Sequence, residues 1–237
     1  MEKIALITDS ACDIDNQTIN KYNIRILPFK IIYSYGEYTD KVDITPEYIY
    51  ENMKTEIPKS SLPSMKDIEA MYKKLTEENY SHVIAAVISS GLSGSYNAFK
   101  LVSERFENIK TYIFDTKSTS LVQGLILKKC GELIEKGMEF KDIIMKIPEI
   151  KRKLHLYFVF GTLEYAKKGG RIGRISGTIG ELLDIKPIVE FDEEYGQCLT
   201  YEKARGRNKS LKRLADIADK IKTDRKLSAY VAHGNSE

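Results

Sequence analysis

Short apolar runs alternate with helical patterns over the N-terminal part of the chain, and no other feature constrains the fold as strongly. Runs rich in β-branched residues predict strands at 4–8, 24–33, 82–88 and 111–115. Segments with apolar residues on one helical face predict helices at 45–54, 64–78, 96–106, 119–136 and 140–153. Such alternation is typical of a parallel sheet covered by helices. We therefore predict an α/β fold of two domains, the first an N-terminal parallel-sheet domain with flanking helices over residues 1–154.

The pattern changes near residue 155. A strand is predicted at 154–160, a hairpin with an acidic, glycine-containing turn at 186–204, and a last strand at 227–234. These elements favour a smaller, mixed-sheet α/β C-terminal domain over residues 155–237. A strand in a sheet normally has a further element to cover it, so we expect this domain to be truncated.

Composition and charge narrow the classes of function. The 237 residues carry a formal net charge of +3, which does not by itself require nucleic acid or a membrane surface as a partner. No apolar run approaches the roughly 18 residues of a membrane span, and the N-terminus lacks the features of a signal peptide. Three cysteines and three histidines are scattered without disulfide or metal-ligand spacing. We therefore predict a cytoplasmic protein with no metal, no cofactor and no nucleic-acid partner.

The stretch SSGLSGSYNA at 89–98 joins a predicted strand to a predicted helix and is the first candidate site. One interpretation is a serine esterase, because GLSGS is close to the G-x-S-x-G nucleophile elbow. Ser93 would then be the nucleophile, with Ser95 in place of the second glycine. Asp115 or Asp184, followed by His233, come in the chain order of an α/β-hydrolase triad.

A second interpretation of the same stretch is a cradle for an anion. Unpaired backbone N–H groups at the start of a helix attract a carboxylate or a phosphate. Gly91 and Gly94 would let the backbone approach the ligand closely, and the hydroxyl of Ser93 would add a donor. A third interpretation is structural, with Ser93 or Ser95 capping the helix.

Two further hydroxyl-rich segments and a pair of arginines extend the candidate site. In KSSLPS the last two residues fit a helix start, which leaves Ser60 and Ser61 to face a ligand. The segment TKSTS at 116–120 follows the next strand. Ligands of open parallel sheets bind beyond the carboxyl ends of the strands, so we expect the three segments to form one polar site. Arg171 and Arg174 in GGRIGR are candidates to pair with an anion or are simply solvated.

Five segments together resemble the DegV family in order and spacing across essentially the whole chain. They are ITDSACDI at the N-terminus, SSLPS at 60–64, SSGLSGSYNA at 89–98, DTKSTSLVQG at 115–124 and LEYAKKGGRIGRISGTIGELLDIKPI at 163–188. The resemblance implies a bacterial protein that binds a long-chain fatty acid, such as palmitate or oleate, between two α/β domains. It also implies a non-catalytic subunit that presents the carboxyl group to the catalytic subunit of fatty acid kinase. Transient contact with a membrane would accompany this role.

The resemblance assigns ligand contacts to particular residues. The family's carboxylate contacts fall on Ser93 and on the hydroxyl before SLPS, which is Ser60 here where most members have threonine. Ser61 is the neighbouring hydroxyl, and Gly94 completes the cradle. Arg171 matches a residue near the ligand head group in kinase-associated members. A serine esterase using Ser93 is the alternative, and a protein that binds phosphate esters in the same cradle is a third hypothesis.

Overall fold

The computed structural model of the chain describes residues 2–173, 175, 184–222 and 227–235. Its strands are β1 (Ile4–Asp9), β2 (Arg25–Leu27), β3 (Lys30–Tyr33), β4 (Gly36–Thr39), β5 (Lys59–Ser61), β6 (His82–Val87), β7 (Lys110–Asp115), β8 (Phe158–Val159), β9 (Ile185–Phe191) and β10 (Cys198–Arg205). Its helices are α1 (Asn16–Tyr22), α2 (Pro46–Asn52), α3 (Met65–Glu77), α4 (Ser95–Ser103), α5 (Leu121–Glu135), α6 (Phe140–Arg152), α7 (Glu164–Lys168) and α8 (Arg207–Ile221).

Four strands form a parallel sheet in the order β2-β1-β6-β7. The register places Ile4 of β1 beside His82 of β6, and His82 beside Lys110 of β7. Every residue of β6 is buried, as expected for a central strand covered on both faces. The predicted α/β fold with a parallel sheet and flanking helices is confirmed.

Two apolar clusters cover the two faces of this sheet. One packs α3 and α4 around the fully buried Tyr72, and the other packs α5 and α6 around Ile126. Successive side chains of a strand point to opposite faces, so Val83 of β6 enters the first cluster and Ile84 enters the second. This two-sided packing fixes the carboxyl end of β6, where the serine-rich turn begins.

A second sheet, β4-β3-β5, is antiparallel and is not predicted by the sequence. Pro28 separates β2 from β3, so the apolar run 24–33 supplies one strand to each of two sheets. In β5, Ser60 lies opposite Ile31 of β3. The segment 59–61 is therefore an edge strand and not the loop that its polar composition indicates.

A third sheet has the order β10-β9-β8 and contacts α8. The sequence predicts a mixed sheet here, and both strand pairings among the described residues are antiparallel. The turn of the β9–β10 hairpin, residues 192–197, reaches back to the serine-rich turn after β6. The domain boundary at 154/155 stays a prediction.

The strand predicted at 227–234 is wrong. Residues 227–235 form no strand, and the side chain of Val231 is 93% exposed. The apolar composition of this segment satisfies only half of what a strand needs, since its backbone groups must also pair with a neighbouring strand. The ammonium of Lys128 in α5 lies 5.9 Å from the ring centroid of Tyr230, whose side chain is exposed.

Candidate ligand-binding site

A pocket of about 180 Å³ lies beyond the carboxyl end of β6 and beside β5. The residues that line it are Phe29, Ser60, Ser61, Leu62, Ile88, Leu92, Ser93 and Arg171. Four of the five residues predicted as ligand contacts are among them. The fifth, Gly94, follows Ser93 directly at the start of α4. The pocket therefore brings together two of the three hydroxyl-rich segments and Arg171, which lies C-terminal to residue 155.

Local hydrogen bonds hold the turn that carries Ser93. The amide N–H groups of Leu92 and Ser93 donate to the carbonyl oxygen of Ser89, at 2.9 and 3.1 Å. The hydroxyl oxygen of Ser93 accepts from the N–H of Ser95 at 3.2 Å and lies 2.9 Å from the Ser95 hydroxyl. Ser93 is half-buried and Ser95 is buried. The N-cap of α4 is Gly94 and has no side-chain cap, so neither serine caps the helix, and Ser93 remains accessible to the pocket.

The surroundings of Ser93 do not form a nucleophile's catalytic triad. Within the described residues, no histidine hydrogen bonds to Ser93, which such a nucleophile requires. Asp115 accepts instead from the N–H groups of Ser90 and Lys117, both at 3.1 Å. Burial raises the pKa of Asp115, but hydrogen bonds from the side chains and the backbone N–H groups of Ser90 and Lys117 more than offset this effect and hold the pKa below its ordinary value. His233 is exposed.

The two glycines of the turn serve different purposes. A β-carbon on Gly91 would overlap the carbonyl oxygen of Tyr195 in the β9–β10 hairpin, whereas one on Gly94 would meet only the side chain of Leu62, at 3.5 Å. The hydroxyl of Ser89 donates to the carbonyl of Gly196 in the same hairpin, at 2.7 Å. The absence of a side chain at Gly91 is thus explained by close backbone packing and not by a ligand.

Arg171 stands at the rim of the pocket with an exposed side chain. Its guanidinium donates to the carbonyl of Gly169 at 2.6 Å and to the carbonyl of Leu92 at 3.4 Å. The second bond joins it to the serine-rich turn. The guanidinium therefore lies beside the turn that carries Ser93, and its remaining N–H groups have no hydrogen-bond partner among the described residues. Arg174 lies outside the described residues.

The third hydroxyl-rich segment, 116–120, does not join the pocket. The hydroxyl of Thr116 donates to the carbonyls of Val87 and Ser118, at 2.8 and 3.0 Å. The hydroxyl of Ser120 donates to Asp13 at 2.8 Å. These side chains fasten the ends of β6 and β7 to the neighbouring loops, so the expectation of a single site built from three segments is wrong for this one.

The residues predicted for the site from the sequence do not include a buried carboxyl group at the carboxyl end of β1. Asp9 ends β1 and has no exposed surface. It accepts from the N–H of Ile88 at 3.0 Å, the N–H of Ala11 at 3.1 Å and the amide of Gln123 at 2.9 Å. Burial raises its pKa to about 6, and these hydrogen bonds limit the rise. Its position at the carboxyl end of the first strand is the available sequence signal, but turn formation or helix capping is the simpler explanation of an aspartate there.

Searches for metal ligands and membrane spans give negative results over the described ranges. No group of three or more histidine, cysteine, aspartate or glutamate residues there could hold a metal ion. None of the helices with described residues combines the length and apolar character needed to cross a bilayer. All three cysteines are buried and free.

Comparison with known proteins identifies the family. The model of the DegV family matches residues 3–237. The chain belongs to the DegV family. A DegV domain-containing protein of Clostridium acetobutylicum is 49% identical over 237 residues, which are 100% of this chain and 84% of that protein. The protein DegV of Bacillus subtilis is 30% identical over 238 residues, covering 99% of this chain and 84% of its own length.

Solved structures of similar proteins share the architecture described above. A fatty acid binding DegV family protein from Streptococcus agalactiae is 32% identical with a TM-score of 0.87, covering 95% of this chain and 80% of that one. DegV of Bacillus subtilis, described as a fatty acid binding protein, is 30% identical with a TM-score of 0.84, covering 93% and 78%. A stearic acid-binding protein from Eubacterium ventriosum is 28% identical with a TM-score of 0.83, covering 93% and 76%.

Proposed function

We propose that this DegV protein binds a long-chain fatty acid, such as palmitate or oleate, with its carboxylate in the pocket beside Ser93. The observation that carries the proposal is the amphipathic lining of that pocket. Serine hydroxyls and a guanidinium stand together with the apolar side chains of Phe29, Leu62 and Ile88. Solved relatives described as fatty acid binding proteins support the ligand class.

The polar end of the pocket suits a carboxylate. Ser60 and Ser93 supply hydroxyl donors, Arg171 supplies a cation, and Gly94 lies at the N-terminus of α4, where the helix dipole favours negative charge. Neighbouring side chains of a strand point to opposite faces, so Ser60 and Ser61 cannot both be directed at one carboxylate. We assign the contact to Ser60, in line with the family pattern.

The acyl tail needs more room than the pocket holds. A volume of about 180 Å³ is below the ~300–1,000 Å³ of typical small-molecule sites. Leu92 lines the pocket and also packs, as Phe158, Phe160 and Phe191 do, against a third apolar cluster formed by Ile175, Val189 and Cys198. We place the tail along this cluster, between the parts of the chain before and after residue 155. About a dozen buried methylenes at ~0.8 kcal/mol each would contribute roughly 10 kcal/mol before the costs of binding.

The protein would act as a carrier without a catalytic residue of its own. Ser60 and Arg171 are exposed, so a bound carboxyl group would be accessible to a second protein. We infer that this second protein is the catalytic subunit of a fatty acid kinase, and that loading involves transient contact with a membrane. In a reconstituted reaction, acyl phosphate should form only when carrier and kinase subunit are both present. Its formation from free fatty acid without the carrier would contradict this role.

Native mass spectrometry of the protein purified from bacteria tests the binding proposal. We expect a stoichiometric long-chain fatty acid, identified after denaturing extraction. The double variant Ser60→Ala, Ser93→Ala should lose it, because each hydrogen bond to a charged group contributes about 1.5–3 kcal/mol. Ser61→Ala is the matched control and should keep the ligand. An empty protein that also takes up no added palmitate or oleate would refute the proposal.

The esterase alternative makes a different prediction at the same residue. A serine nucleophile would be labelled at Ser93 by a fluorophosphonate and would release a burst of product from an activated ester. The carrier should do neither, because the Ser93 hydroxyl is 2.9 Å from Ser95 and has no base among its described partners. Labelling of wild type that is lost in Ser93→Ala would favour the esterase.

A further inference from the structure

We propose that Asp9 and Ser10 are positioning residues that hold the two apolar walls of the head-group pocket, Ile88 on one side and Phe29 on the other. The inference rests on the proposed function, because it concerns the same pocket. Both residues lie at the carboxyl end of β1, beneath the pocket, and neither lines it.

Asp9 holds the wall formed by Ile88. Its Oδ2 accepts from the N–H of Ile88 at 3.0 Å, in the residue that follows β6 and opens the serine-rich turn. Its Oδ1 accepts from the N–H of Ala11 and from the side-chain amide of Gln123 in α5. One side chain thus joins β1, the end of β6 and α5 at the point where Ile88 enters the pocket.

Ser10 holds the wall formed by Phe29. Phe29 stands in the short link between β2 and β3, outside both strands. Its N–H donates to the hydroxyl oxygen of Ser10 at 3.0 Å, and the same hydroxyl donates to Asp40 at 2.6 Å. The N–H of Asp40 donates back to the carbonyl of Phe29 at 2.9 Å. Ser10 is 2% exposed, so water competes little for these bonds.

The hydrogen bonds that the Asp9 side chain accepts depend on the ionisation of its carboxyl group. A carboxylate accepts from all three N–H donors, whereas a protonated carboxyl group directs its own hydrogen at one of them. Since the pKa of Asp9 is about 6, this change falls near neutral pH. The facing charged group is Lys41, which favours the carboxylate and is shared with Asp13 at 3.0 Å. The neighbouring thiol of Cys12 stays neutral, because burial raises its pKa to about 12.

Palmitate affinity as a function of pH tests the role of Asp9 in binding. Wild type should bind more weakly as the pH falls through about 6, while Asp9→Asn should bind ~10-fold more weakly at about pH 8 and lose most of this pH dependence. Thr8→Val is the matched control, since its hydroxyl belongs to the same buried network through Gln123 but does not contact Ile88. It should keep the wild-type pH profile. The carboxyl group of palmitate also titrates, but it does so equally with every variant, so differences between the pH profiles report on the protein.

Amide hydrogen exchange tests the same inference without a ligand. Asp9→Asn should speed exchange at Ile88 and leave Phe29 protected, and Ser10→Ala should do the reverse. Unchanged exchange at both amides, or an Asp9→Asn variant that binds palmitate with the wild-type pH profile, would overturn the inference. If wild type binds no palmitate while the two exchange effects appear, the proposed function fails and the positioning role stands. Should Asp9→Asn not fold, Ser10→Ala still tests the Phe29 wall.

Discussion

At the scale of single residues, Gly91 and Gly94 stand three positions apart in one turn and have different tolerance for a side chain. Gly91→Ala would drive a methyl group into the backbone of Tyr195 and Gly196, and overpacking of this kind costs about 1–3 kcal/mol. Gly94→Ala meets only Leu62 at an ordinary contact distance and should change the free energy of unfolding little. Urea denaturation of the pair measures the difference. Equal stabilities would show that the hairpin does not pack against this turn.

The raised pKa of Asp9 predicts that folding stability falls as the pH rises, whereas palmitate binding is expected to weaken as the pH falls. Its pKa is raised from 3.8 to about 6 in the folded protein, so its contribution favours folding below pH 3.8 and is lost as the pH rises through about 6. A shift of about two units corresponds to about 3 kcal/mol. Relative to Asp9→Asn, wild type should therefore become less stable by up to that amount between about pH 4 and pH 8. Urea denaturation at both pH values measures it, and a constant difference would contradict the raised pKa.

At the scale of single elements, the sequence predicts the N-cap of α3, and this cap yields a testable prediction. Ser64 and Asp67 have the spacing of a helix start, and the hydroxyl of Ser64 accepts from the N–H of Asp67 at 3.1 Å. Ser64→Ala should lower the free energy of unfolding by ~1 kcal/mol, while Ser64→Thr keeps the acceptor and most of the stability. Thermal or urea denaturation distinguishes them. Equal losses in both variants would show that the cap is not what stabilises α3.

The elements that the sequence misplaced share one property, which is dependence on a distant partner. Strand β5 reads as a polar loop, because its three exposed residues become a strand only through pairing with β3. The segment 227–234 reads as a strand by composition and pairs with nothing among the described residues. By contrast, β6 and α3 carry their own signals in continuous apolar burial and helical periodicity. Local pattern therefore predicted the parallel sheet and its helices, but not the small antiparallel sheet that carries Ser60.

The parts of the candidate site that depend on contacts between distant residues could not be predicted from the sequence either. Local segments make Ser60, Ser93 and Arg171 candidates, the family resemblance assigns them ligand contacts, and the structure places them around one pocket. Asp9 and the contact between Ser89 and Gly196 could not be inferred, because they join residues 79 and 107 positions apart along the chain. Polar residues at the end of a strand have several uses, and only tertiary contacts show which use each one has.

At the scale of the whole molecule, the pocket is built from both sides of residue 155, so a ligand should order both sides together. Arg171 bonds to the turn at Leu92, and the 192–197 hairpin contacts the same turn through Ser89. We expect palmitate to slow amide exchange in 88–93 and in 192–197 to a similar extent, by local stabilisation of up to about 2.7 kcal/mol at a hundredfold excess over Kd. Exchange in α6, which lies outside the pocket, is the internal control and should change least. Protection confined to 88–93 would place the ligand on the N-terminal side alone and contradict a tail lying between the two parts of the chain.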